Sequence, residues 1–458
     1  GKIAKFWDLS GKKIISIESN YDFAQGSPVF TRDGIYTTRG WTEWTEGFVY
    51  GSAVLQYDAA GEDAFLEIAK RTTVERMAKH VSHIGVHDHG FNNVSTYGGL
   101  LRLMNEKKIP EDPWERAYYE FALKISGAVQ ASRWTDTSNG GGYIYSFNGP
   151  HSLFADTIRS LRALGVAHQL GHVLMAENDR AISLLDRFLT HAVTTSKYIV
   201  YFGEGRDSYD IPGRTVHEAI FNTNDGNFRN PSTQQGYSAF STWTRGLAWI
   251  VTGFAEELEF LSSLSGNFDA AVVMEKYGGI DKVKALFEKT AKATADFYIA
   301  NSCSDNIPYW DTGAPGLHNL GDYLAVSADP YNNFEPVDSS AAAIAAQGLL
   351  RLGVYFSGNG AVPERGVPAN AIENPYFQAG LKIIDTLLDE PYLSTDDAHQ
   401  GLLLHSIYHQ PNGWDNIPAG RVIPCDESSM WGDYHIREAI LYLHKIIHNE
   451  PYYTYWLK

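Results

Sequence analysis

Apolar residues recur every three or four positions along most of the chain, apart from its first forty residues. This spacing places apolar side chains on one face of an α-helix. Sustained alternation of apolar and polar residues, which is typical of half-buried strands, is almost absent. The pattern predicts about twelve helices, at residues 44–59, 63–82, 97–106, 113–129, 154–170, 179–198, 241–263, 280–300, 338–352, 375–390, 400–408 and 430–448.

A closed ring of helical hairpins accounts for this pattern. Pro113 lies where the first turn of a helix tolerates proline, and Asp338 can cap the helix that follows it. About twelve helices suit six hairpins closed into a double ring, and an irregular helical solenoid is the alternative. We therefore predict an all-α protein with a single (α/α)6 barrel at residues 41–458. Residues 1–40 are expected to form an N-terminal extension that packs on the barrel.

Long polar connections separate several of the predicted helices, at residues 133–150, 203–242, 302–337 and 410–429. They are rich in Gly, Asn, Asp, Tyr and Trp. Loops of this length within a compact domain are usually functional. We expect these four loops to carry function.

Composition and charge exclude several classes of function. The formal net charge is −17, and no basic cluster indicates a nucleic-acid partner. No run of about 18 apolar residues occurs, which argues against a membrane span. Two cysteines, Cys303 and Cys425, are too few for a disulfide framework. The chain begins at Gly1 without a methionine, a start that is compatible with removal of an export signal.

The first candidate site lies in a loop after a predicted helix, where Asp88 stands between His87 and His89. Metal binding is the first reading to test. Neighbouring side chains diverge and form a poor chelate, and the chain has neither an HExxH motif nor a cysteine cluster. We therefore predict no metal here. A helix cap explains Asp88 as well as catalysis does on local evidence alone.

The second candidate is Asp156, which opens an otherwise apolar helix. A carboxylate at a helix start can simply complement the helix dipole. If aromatic rings surround it, desolvation would raise its pKa towards the range that suits a general acid. Enzymes that cleave a glycosidic bond usually use two carboxyl groups in different environments.

The third candidate is a cluster at a loop-to-helix junction, formed by Gln235, Trp243, Arg245 and Trp249. The planar guanidinium of Arg245 offers paired donors to a carboxylate or sulfate. Flat aromatic rings with a polar edge suit the faces of sugars, although a single tryptophan belongs to a core more often than to a binding platform.

Several stretches, in order along the chain, resemble the motifs of one enzyme family. That family is the unsaturated glucuronyl hydrolases, glycoside hydrolase family 88. The resemblance spans nearly the whole predicted barrel, and the order and spacing of the motifs make it specific. The matching stretches are WTEGF from Trp44, His87-Asp88 with Gly90-Phe91, Asp156-Thr157, Gln235-Gly236-Tyr237, WTRGLAW from Trp243, IPYWD from Ile307, residues 338–350 and WGDY from Trp431.

The resemblance implies a hydrolase that removes a 4,5-unsaturated uronic acid from the non-reducing end of oligosaccharides made by polysaccharide lyases. Such a sugar is an enol ether, so an acid protonates carbon 4 and water adds at carbon 5. The resulting hemiketal opens and releases the remaining sugar. By this resemblance Asp156 is the general acid/base, and Asp88 positions the substrate and tunes Asp156. We expect Asp156 to be kept protonated in a ring-lined hollow.

The resemblance also implies the substrate-binding residues and the absence of a cofactor. His217 and Gln235 fall where the family has polar groups that contact sugar or water, although a structural hydrogen bond is the alternative for His217. Arg245 is the expected partner of the anionic end of the substrate. The remaining substrate-binding residues are predicted to be Trp44, His87, Trp243 and Trp249.

The sequence departs from the family pattern in ways that affect substrate choice. Relatives tend to place a tryptophan before the Asp-Thr helix start, where this chain has Phe147, and Trp134 upstream is the other candidate for that position. The loop at residues 411–429 contains no lysine, and Arg421 is its one cation. We therefore favour unsulfated substrates, or only particular sulfated ones, of the glycosaminoglycan type.

Three alternatives stay open. The first is an unsaturated rhamnogalacturonyl hydrolase, which performs the same chemistry on pectin fragments. The second is a sugar epimerase on the same barrel, and the third is a catalytically inactive sugar-binding relative. We expect an unsaturated oligosaccharide as the ligand, a monomer or weak homo-oligomer, and a periplasmic or otherwise cytoplasmic location in a bacterium.

Overall fold

The computed structural model describes residues 1–39, 43–264 and 266–457. Helices dominate it, and most of the remaining chain forms loops with short hairpins. The helices are α1 Lys2–Asn20, α2 Glu46–Ala60, α3 Asp63–Arg76, α4 Ala78–Val81, α5 His89–Asn93, α6 Gly99–Asn105, α7 Pro113–Ser132, α8 Thr157–Ser160, α9 Arg162–Gln169, α10 Leu184–Tyr198, α11 Thr244–Ser263, α12 Phe268–Glu275, α13 Ile280–Ala300, α14 Ser339–Ser357, α15 Pro375–Leu387 and α16 Met430–Ile447.

Short antiparallel strands lie within the loops. Three hairpins pair β1 Phe30–Arg32 with β2 Ile35–Thr37, β3 Trp134–Asp136 with β4 Gly142–Ile144, and β6 Val173–Ala176 with β7 Arg180–Ser183. A three-stranded sheet has the order β5 Ser152–Phe154, β8 Glu218–Phe221, β9 Phe228–Ser232. The β5–β8 pairing matters for function, because β5 leads directly to Asp156 and β8 begins beside His217.

The helices form two concentric rings. The inner ring consists of α2, α5 with α6, α8 with α9, α11, α14 and α16, and these helices are buried almost all round. The outer ring consists of α1, α3, α7, α10, α13 and α15, which bury a narrower apolar face. Outer helices such as α3, α13 and α15 pack on the inner helices α2, α11 and α14. The predicted (α/α)6 barrel is confirmed.

Residue size explains why the inner ring closes. In the helix α14, five of the six residues from Ala341 to Ala346 are alanine, and all six are fully buried. Gly348 of α14 faces α11, where a Cβ would lie 2.7 Å from Thr252 Cα. Small side chains let neighbouring backbones approach closely, so a ring of helices fits around a narrow axis. Within the described ranges no helix is long and apolar enough to cross a membrane.

The first helix completes the outer ring. Phe6 and Trp7 of α1 are buried, and α1 packs against α2 and α16. The carbonyl of Trp7 accepts a hydrogen bond from Gln56 at 3.1 Å. Helix α1 therefore occupies the place of an outer helix. The predicted boundary between residues 40 and 41 lies outside the described residues, and the division into extension and barrel stays a prediction.

Most predicted helices are present, with differences at their ends. The helix predicted at 400–408 is wrong. Backbone amides there bind buried carboxylates instead of helical carbonyls: Leu402 and Leu403 donate to Asp433, and Ile407 donates to Asp338. The helix predicted at 179–198 begins only at Leu184, because the residues before it pair as β7. The helices α1, α5 and α12 were not predicted.

A cluster of buried charges lies on the barrel axis. Arg159 donates two hydrogen bonds of 3.0 Å to Glu256 and one of 2.8 Å to Glu438. Arg162 lies within 3.8 Å of Glu256 and 3.6 Å of Glu438. Because these side chains come from α8, α9, α11 and α16, the cluster ties four inner segments together.

Glu257, next to this cluster in sequence, has a different environment. Its side chain is buried, and neither carboxyl oxygen has a hydrogen-bond partner among the described residues. Burial, with the charge of Glu256, raises the pKa of Glu257 well above its usual value. The unfolded chain loses this proton near the ordinary glutamate pKa, whereas the folded chain keeps it. Stability therefore falls as pH rises from the unfolded pKa towards the folded one.

We expect Glu257→Met to raise the free energy of unfolding at neutral pH by about 1–3 kcal/mol, because it removes an unpaired buried polar group. The gain should shrink near pH 4.5, where the unfolded carboxyl is also protonated. Thermal unfolding at both pH values measures this. Glu256→Met is the matched control, since it removes a partner of Arg159 and should destabilise. A loss of stability in Glu257→Met would show that this carboxyl is satisfied in solution.

Candidate active site

A cavity of about 260 Å³ opens at one end of the barrel. Loops and helix starts from both halves of the chain contribute its walls. They are lined by Trp44, Val86, His87, Asp88, Phe91, Phe147, Phe154, Asp156, Gln234, Gln235, Trp243, Arg245, Trp249, Tyr408, His409, Asn412 and Trp414. The cavity is thus mainly aromatic, with a few polar groups that converge on it.

The two candidate carboxyls reach this cavity from adjacent inner helices. Asp88 directly precedes α5 and Asp156 directly precedes α8. These helices pack closely because residue 90 is glycine: a Cβ there would lie 2.2 Å from the Ser160 carbonyl oxygen. The Gly90 amide also donates to Ser160 Oγ at 2.9 Å. The contact holds both carboxyls at the same end of the barrel, where both line the cavity.

His87 lies between the two carboxyls. Its Nε2 is 3.0 Å from Asp156 Oδ2 and 3.6 Å from Asp88 Oδ1. Its ring is buried and packs edge-on against Phe154 and nearly parallel to Phe147. The sequence predicted His87 only as a substrate-binding residue. Its direct hydrogen bond to Asp156 was not anticipated.

In the triad of His87, Asp88 and Asp156, burial and charge determine which group holds a proton. Burial, together with the charge of Asp156, raises the pKa of Asp88 to about 6. Burial opposes ionisation of Asp156 too, but the charge and hydrogen bond of His87 outweigh it and lower the pKa of Asp156. The two carboxylates in turn raise the pKa of His87 despite its burial.

The expectation that Asp156 is kept protonated therefore needs correction for the protein without substrate. Aromatic rings do desolvate the carboxyl, as predicted. The adjacent His87 takes the proton, however, because an ion pair at 3.0 Å in a buried site favours the charged forms of both groups. Asp156 is ionised in this state, and its acid form requires a proton from within the triad.

His217 is held in one tautomer by the backbone. The amides of Gln234 and Gln235 donate to its Nδ1 at 3.0 and 3.3 Å, so the proton of the neutral ring is on Nε2. Burial lowers the pKa of His217 to about 4, which keeps the ring neutral. Its ring packs against Phe154 and Trp243 behind the cavity wall, with centroids 4.4 and 4.6 Å away. Its Nε2 is buried and has no partner among the described residues.

Arg245 fixes the shape of the cavity through its own hydrogen bonds. The guanidinium donates to the carbonyls of Ile407 and Tyr408 and, at 2.7 Å, to Gln235 Oε1. It also lies 3.6 Å from an oxygen of Asp338. The sequence predicted Arg245 as the partner of an anionic substrate group, which stays a prediction. The structure adds that this side chain anchors a loop and orients Gln235.

The three predicted tryptophans line the cavity. Trp44 stacks on Trp431 with ring centroids 5.1 Å apart, and Trp249 packs on Phe91 at 4.8 Å. Trp243 lies immediately before α11, where Gly246 makes room for its ring: a Cβ on Gly246 would lie 2.7 Å from it. These contacts leave each tryptophan with one side in the core and another towards the cavity.

The structure places Phe147 in the cavity wall and Trp134 elsewhere. Trp134 lies on β3, where the Arg187 guanidinium is 3.9 Å from its ring centroid. It is not among the lining residues. Of the two aromatic candidates from the sequence, Phe147 and not Trp134 therefore lines the cavity.

One wall of the cavity was not predicted as part of the site. Tyr408 ends the segment wrongly predicted as a helix at 400–408, and His409, Asn412 and Trp414 follow it. The carboxylate of Asp415 accepts hydrogen bonds from the amides of Tyr408 and His409 and shapes this turn. Trp414 within the long loop 410–429 was the available signal, since that loop was expected to be functional.

The triad is also a candidate metal site by its residue types. Among the described residues, His87, Asp88 and Asp156 form the one group of metal-binding side chains whose ligand atoms lie within 4.8 Å of one another. The hydrogen bond of His87 Nε2 to Asp156 and its charge interaction with Asp88 account for this arrangement without an ion, while Asp156 Oδ1 and His87 Nδ1 have no hydrogen-bond partner among the described residues. The absence of a metal and of a cofactor stays a prediction.

Characterised proteins resemble this chain over most of its length. No model of a protein family matches it. An unsaturated glucuronyl hydrolase from Bacillus sp. strain GL1 is 28% identical over 416 residues, which cover 88% of this chain and 87% of that protein. An unsaturated chondroitin disaccharide hydrolase from Streptococcus pneumoniae is 26% identical over 445 residues, 95% of this chain and 90% of that one.

A solved structure supports the same relationship at the level of the fold. The crystal structure of the unsaturated glucuronyl hydrolase from Bacillus sp. GL1 superposes with a TM-score of 0.68 at 22% identity, over 97% of each chain. The sequence likeness covers 88% and 95% of this chain for these two relatives, and the fold likeness covers 97% of it. The chain is therefore a glycoside hydrolase that is similar to the unsaturated glucuronyl hydrolases in sequence and in fold.

Proposed function

We propose that this enzyme removes a 4,5-unsaturated uronic acid from the non-reducing end of short glycosaminoglycan-type oligosaccharides. The observation that carries the proposal is the His87–Asp88–Asp156 triad within an aromatic cavity. Protonation of an enol-ether carbon requires an acid whose pKa can be adjusted and a flat-walled cavity that excludes water. Relatives whose names state glucuronyl or chondroitin disaccharide substrates support the choice of sugar.

The proton follows the short hydrogen bond of the triad. In the free enzyme it resides on His87 Nε2, 3.0 Å from Asp156 Oδ2. An incoming uronate adds negative charge and excludes water, and both effects raise the pKa of Asp156. The proton then moves to Asp156 and on to carbon 4 of the sugar. Positive charge develops at carbon 5 and on the ring oxygen.

Hydration completes the reaction. The carboxylate of Asp156, now ionised, takes a proton from a water molecule that bonds to carbon 5. The product is a hemiketal, which opens and expels the remaining sugar from carbon 1. Asp88 remains beside His87 throughout, and its charge raises the pKa of His87, from which the proton comes, against the effect of burial. We assign the binding of sugar hydroxyls or the attacking water to Gln235, which lines the cavity, and to the Nε2–H of His217, which lies directly behind its wall and has no partner among the described residues.

The decisive experiment uses an unsaturated uronyl-hexosamine disaccharide in heavy water. We expect the ultraviolet absorbance of the enol ether to disappear and deuterium to appear at carbon 4 of the product, as read by NMR. Loss of absorbance without deuterium at carbon 4 would contradict protonation at that atom. A parallel assay with an unsaturated uronyl-rhamnose disaccharide tests substrate class, because faster turnover of that compound would make pectin fragments the substrate.

A further inference from the structure

Arg133 is a buried cation that directly follows α7 and is only 5% exposed. Each of its three nitrogens donates to a backbone carbonyl: Nε to Tyr145 at 3.2 Å, one terminal nitrogen to Ser146 at 2.7 Å and the other to Ile84. Arg133 is not among the residues that line the cavity, and the sequence did not predict it as part of the site. Its hydrogen bonds nevertheless end on two segments that contribute to the cavity wall.

The first of these segments carries two members of the triad. Residues 84–88 form an irregular loop before α5, and its last two residues are His87 and Asp88. The guanidinium donates to the first carbonyl of this loop. Gln130, nearly one turn earlier on α7, donates to the carbonyl of His87 at 2.8 Å. The end of α7 therefore holds the loop at two points.

The second segment forms the neighbouring wall. Phe147 lines the cavity, and its ring lies nearly parallel to that of His87 with centroids 6.4 Å apart. The two residues before it, Tyr145 and Ser146, supply the other two carbonyls that Arg133 binds. The amide of Tyr145 donates in return to the Arg133 carbonyl at 3.1 Å, and the guanidinium lies 4.3 Å from the centroid of the Tyr145 ring. One side chain thus joins the loop of the triad to the wall beside it.

The charge of Arg133 has its acidic partner in the triad. Other buried arginines of the barrel bond to carboxylates, as Arg159 does to Glu256. Among the described residues, no carboxylate accepts a hydrogen bond from Arg133, and an unpaired buried charge is costly. Burial lowers the pKa of Arg133, whereas Tyr145 and Asp88 raise it. Asp88 is therefore the carboxyl group that compensates this buried cation.

The same interaction acts in reverse on the triad. Burial raises the pKa of Asp88 to about 6, and the charge of Arg133 works against this rise. Burial also opposes ionisation of His87, the two carboxylates raise its pKa, and Arg133 again acts to lower it. A guanidinium keeps its charge at every pH at which the triad titrates. A positive charge beside a loaded acid weakens its hold on the proton, which favours transfer to the substrate.

The other titratable groups that face the triad do not replace this charge. Burial lowers the pKa values of His191 on α10 and His217 before β8 to about 3 and about 4, so both rings are neutral where the triad titrates. Arg245 on α11 acts on Asp156. Among the described residues, Arg133 is the permanent cation that acts on the other two members of the triad.

We propose that Arg133 is a positioning residue of the hydrolysis, which holds the loop 84–88 against the wall at 145–147 and eases proton transfer from the triad through its buried charge. This inference rests on the proposed function. A purely structural clamp would affect stability and rate alone. A charge that acts on the triad also sets the pH at which the triad gives up its proton.

Two substitutions separate the hydrogen bonds of Arg133 from its charge. Arg133→Gln and Arg133→Lys both lose the planar fork of donors. Both should therefore lower kcat, by up to about 10²-fold if the triad moves by about 1 Å. Only Arg133→Gln loses the charge, so the triad keeps its proton to a higher pH. The fall of kcat/KM with rising pH should move up by about 1 pH unit in Arg133→Gln and stay in place in Arg133→Lys.

Arg206→Gln is the matched control. Arg206 also donates to three backbone carbonyls and lies over a tyrosine ring, but it does not line the cavity or contact the residues that carry the triad. This variant should keep both the rate and the pH profile. Arg133→Lys decides the proposal even if Arg133→Gln does not fold, because an unchanged kcat or a shifted profile in Arg133→Lys would contradict it.

Titration of His87 by NMR provides a readout that needs no substrate. In protein labelled at histidine Cε1, the signal that disappears in His87→Asn identifies this ring. Its midpoint should rise in Arg133→Gln and stay in place in Arg133→Lys. An unmoved midpoint in Arg133→Gln, or equal shifts in both variants, would overturn the proposal. Failure of the unaltered enzyme to hydrolyse unsaturated disaccharides would instead contradict the proposed function, and the His87 titration would still report the effect of the charge.

Discussion

Asp156→Asn should lower kcat/KM on an unsaturated disaccharide by about 10²–10⁴-fold, the usual contribution of a general acid. The amide keeps the shape of the side chain and its contact with His87 but holds no transferable proton. Because the acid acts in the transition state, the loss should fall on kcat more than on KM. Steady-state kinetics that follow the enol-ether absorbance measure both parameters.

Asp397→Asn is the matched control, since Asp397 is an exposed aspartate far from any lining position. It should leave both parameters unchanged, and thermal unfolding should show that both variants are folded. Activity of Asp156→Asn within about tenfold of the unaltered enzyme would be too small a loss for a general acid. Another group would then have to supply the proton.

The pH profile separates the role of Asp88 from that of Asp156. The proton donor must be loaded, so kcat/KM should fall as pH rises through the pKa of the triad. Asp88→Asn removes the negative neighbour of Asp156, which lowers the proton affinity of the pair. The fall should therefore begin at a lower pH in Asp88→Asn. A profile that keeps its midpoint would mean that the charge of Asp88 does not tune the acid.

Arg159→Met should cost about 3–5 kcal/mol of folding stability, the cost of removing one partner from a buried ion pair. Arg159 is fully buried, and its loss leaves Glu256 and Glu438 without their main compensating charge. Both carboxyls have lowered pKa values because of Arg159 and Arg162, despite their burial. Thermal and denaturant unfolding at neutral pH measure the cost.

The pH dependence of this cost has a defined sign. In the unaltered protein, the lowered pKa values contribute stability that is present above the unfolded glutamate pKa and is lost as pH falls. In Arg159→Met the carboxyls regain protons more easily, so the penalty should be smaller near pH 5 than at pH 7. Arg71→Met is the control, since its half-exposed pairing with Glu18 should contribute at most about 1 kcal/mol. Equal losses in the two variants would show that the buried cluster contributes no more than a surface pair.

Local patterns in the sequence determined the architecture. The recurrence of apolar residues every three or four positions is a property of each helix alone. Nearly all barrel helices were therefore predicted, and both ends of α13 were predicted correctly. The motifs around Asp88 and Asp156 are local in the same way, because each consists of residues that are adjacent in the sequence. Gly90, for example, is required by the approach of α5 to α8, and that requirement leaves a mark in the sequence.

The tertiary structure decided what depends on contacts between distant segments. Residues 400–408 have an apolar pattern that favours a helix, but carboxylates of Asp338 and Asp433 accept hydrogen bonds from their backbone amides and hold them in an irregular loop. A contact between distant segments also determines which group holds the proton in the active site. Aromatic burial of Asp156 could be expected from its sequence, whereas the position of His87 Nε2, 3.0 Å away, follows from the packing of two helices. Periodicity and motifs describe one segment at a time, while proton affinity depends on every charge within a few ångströms.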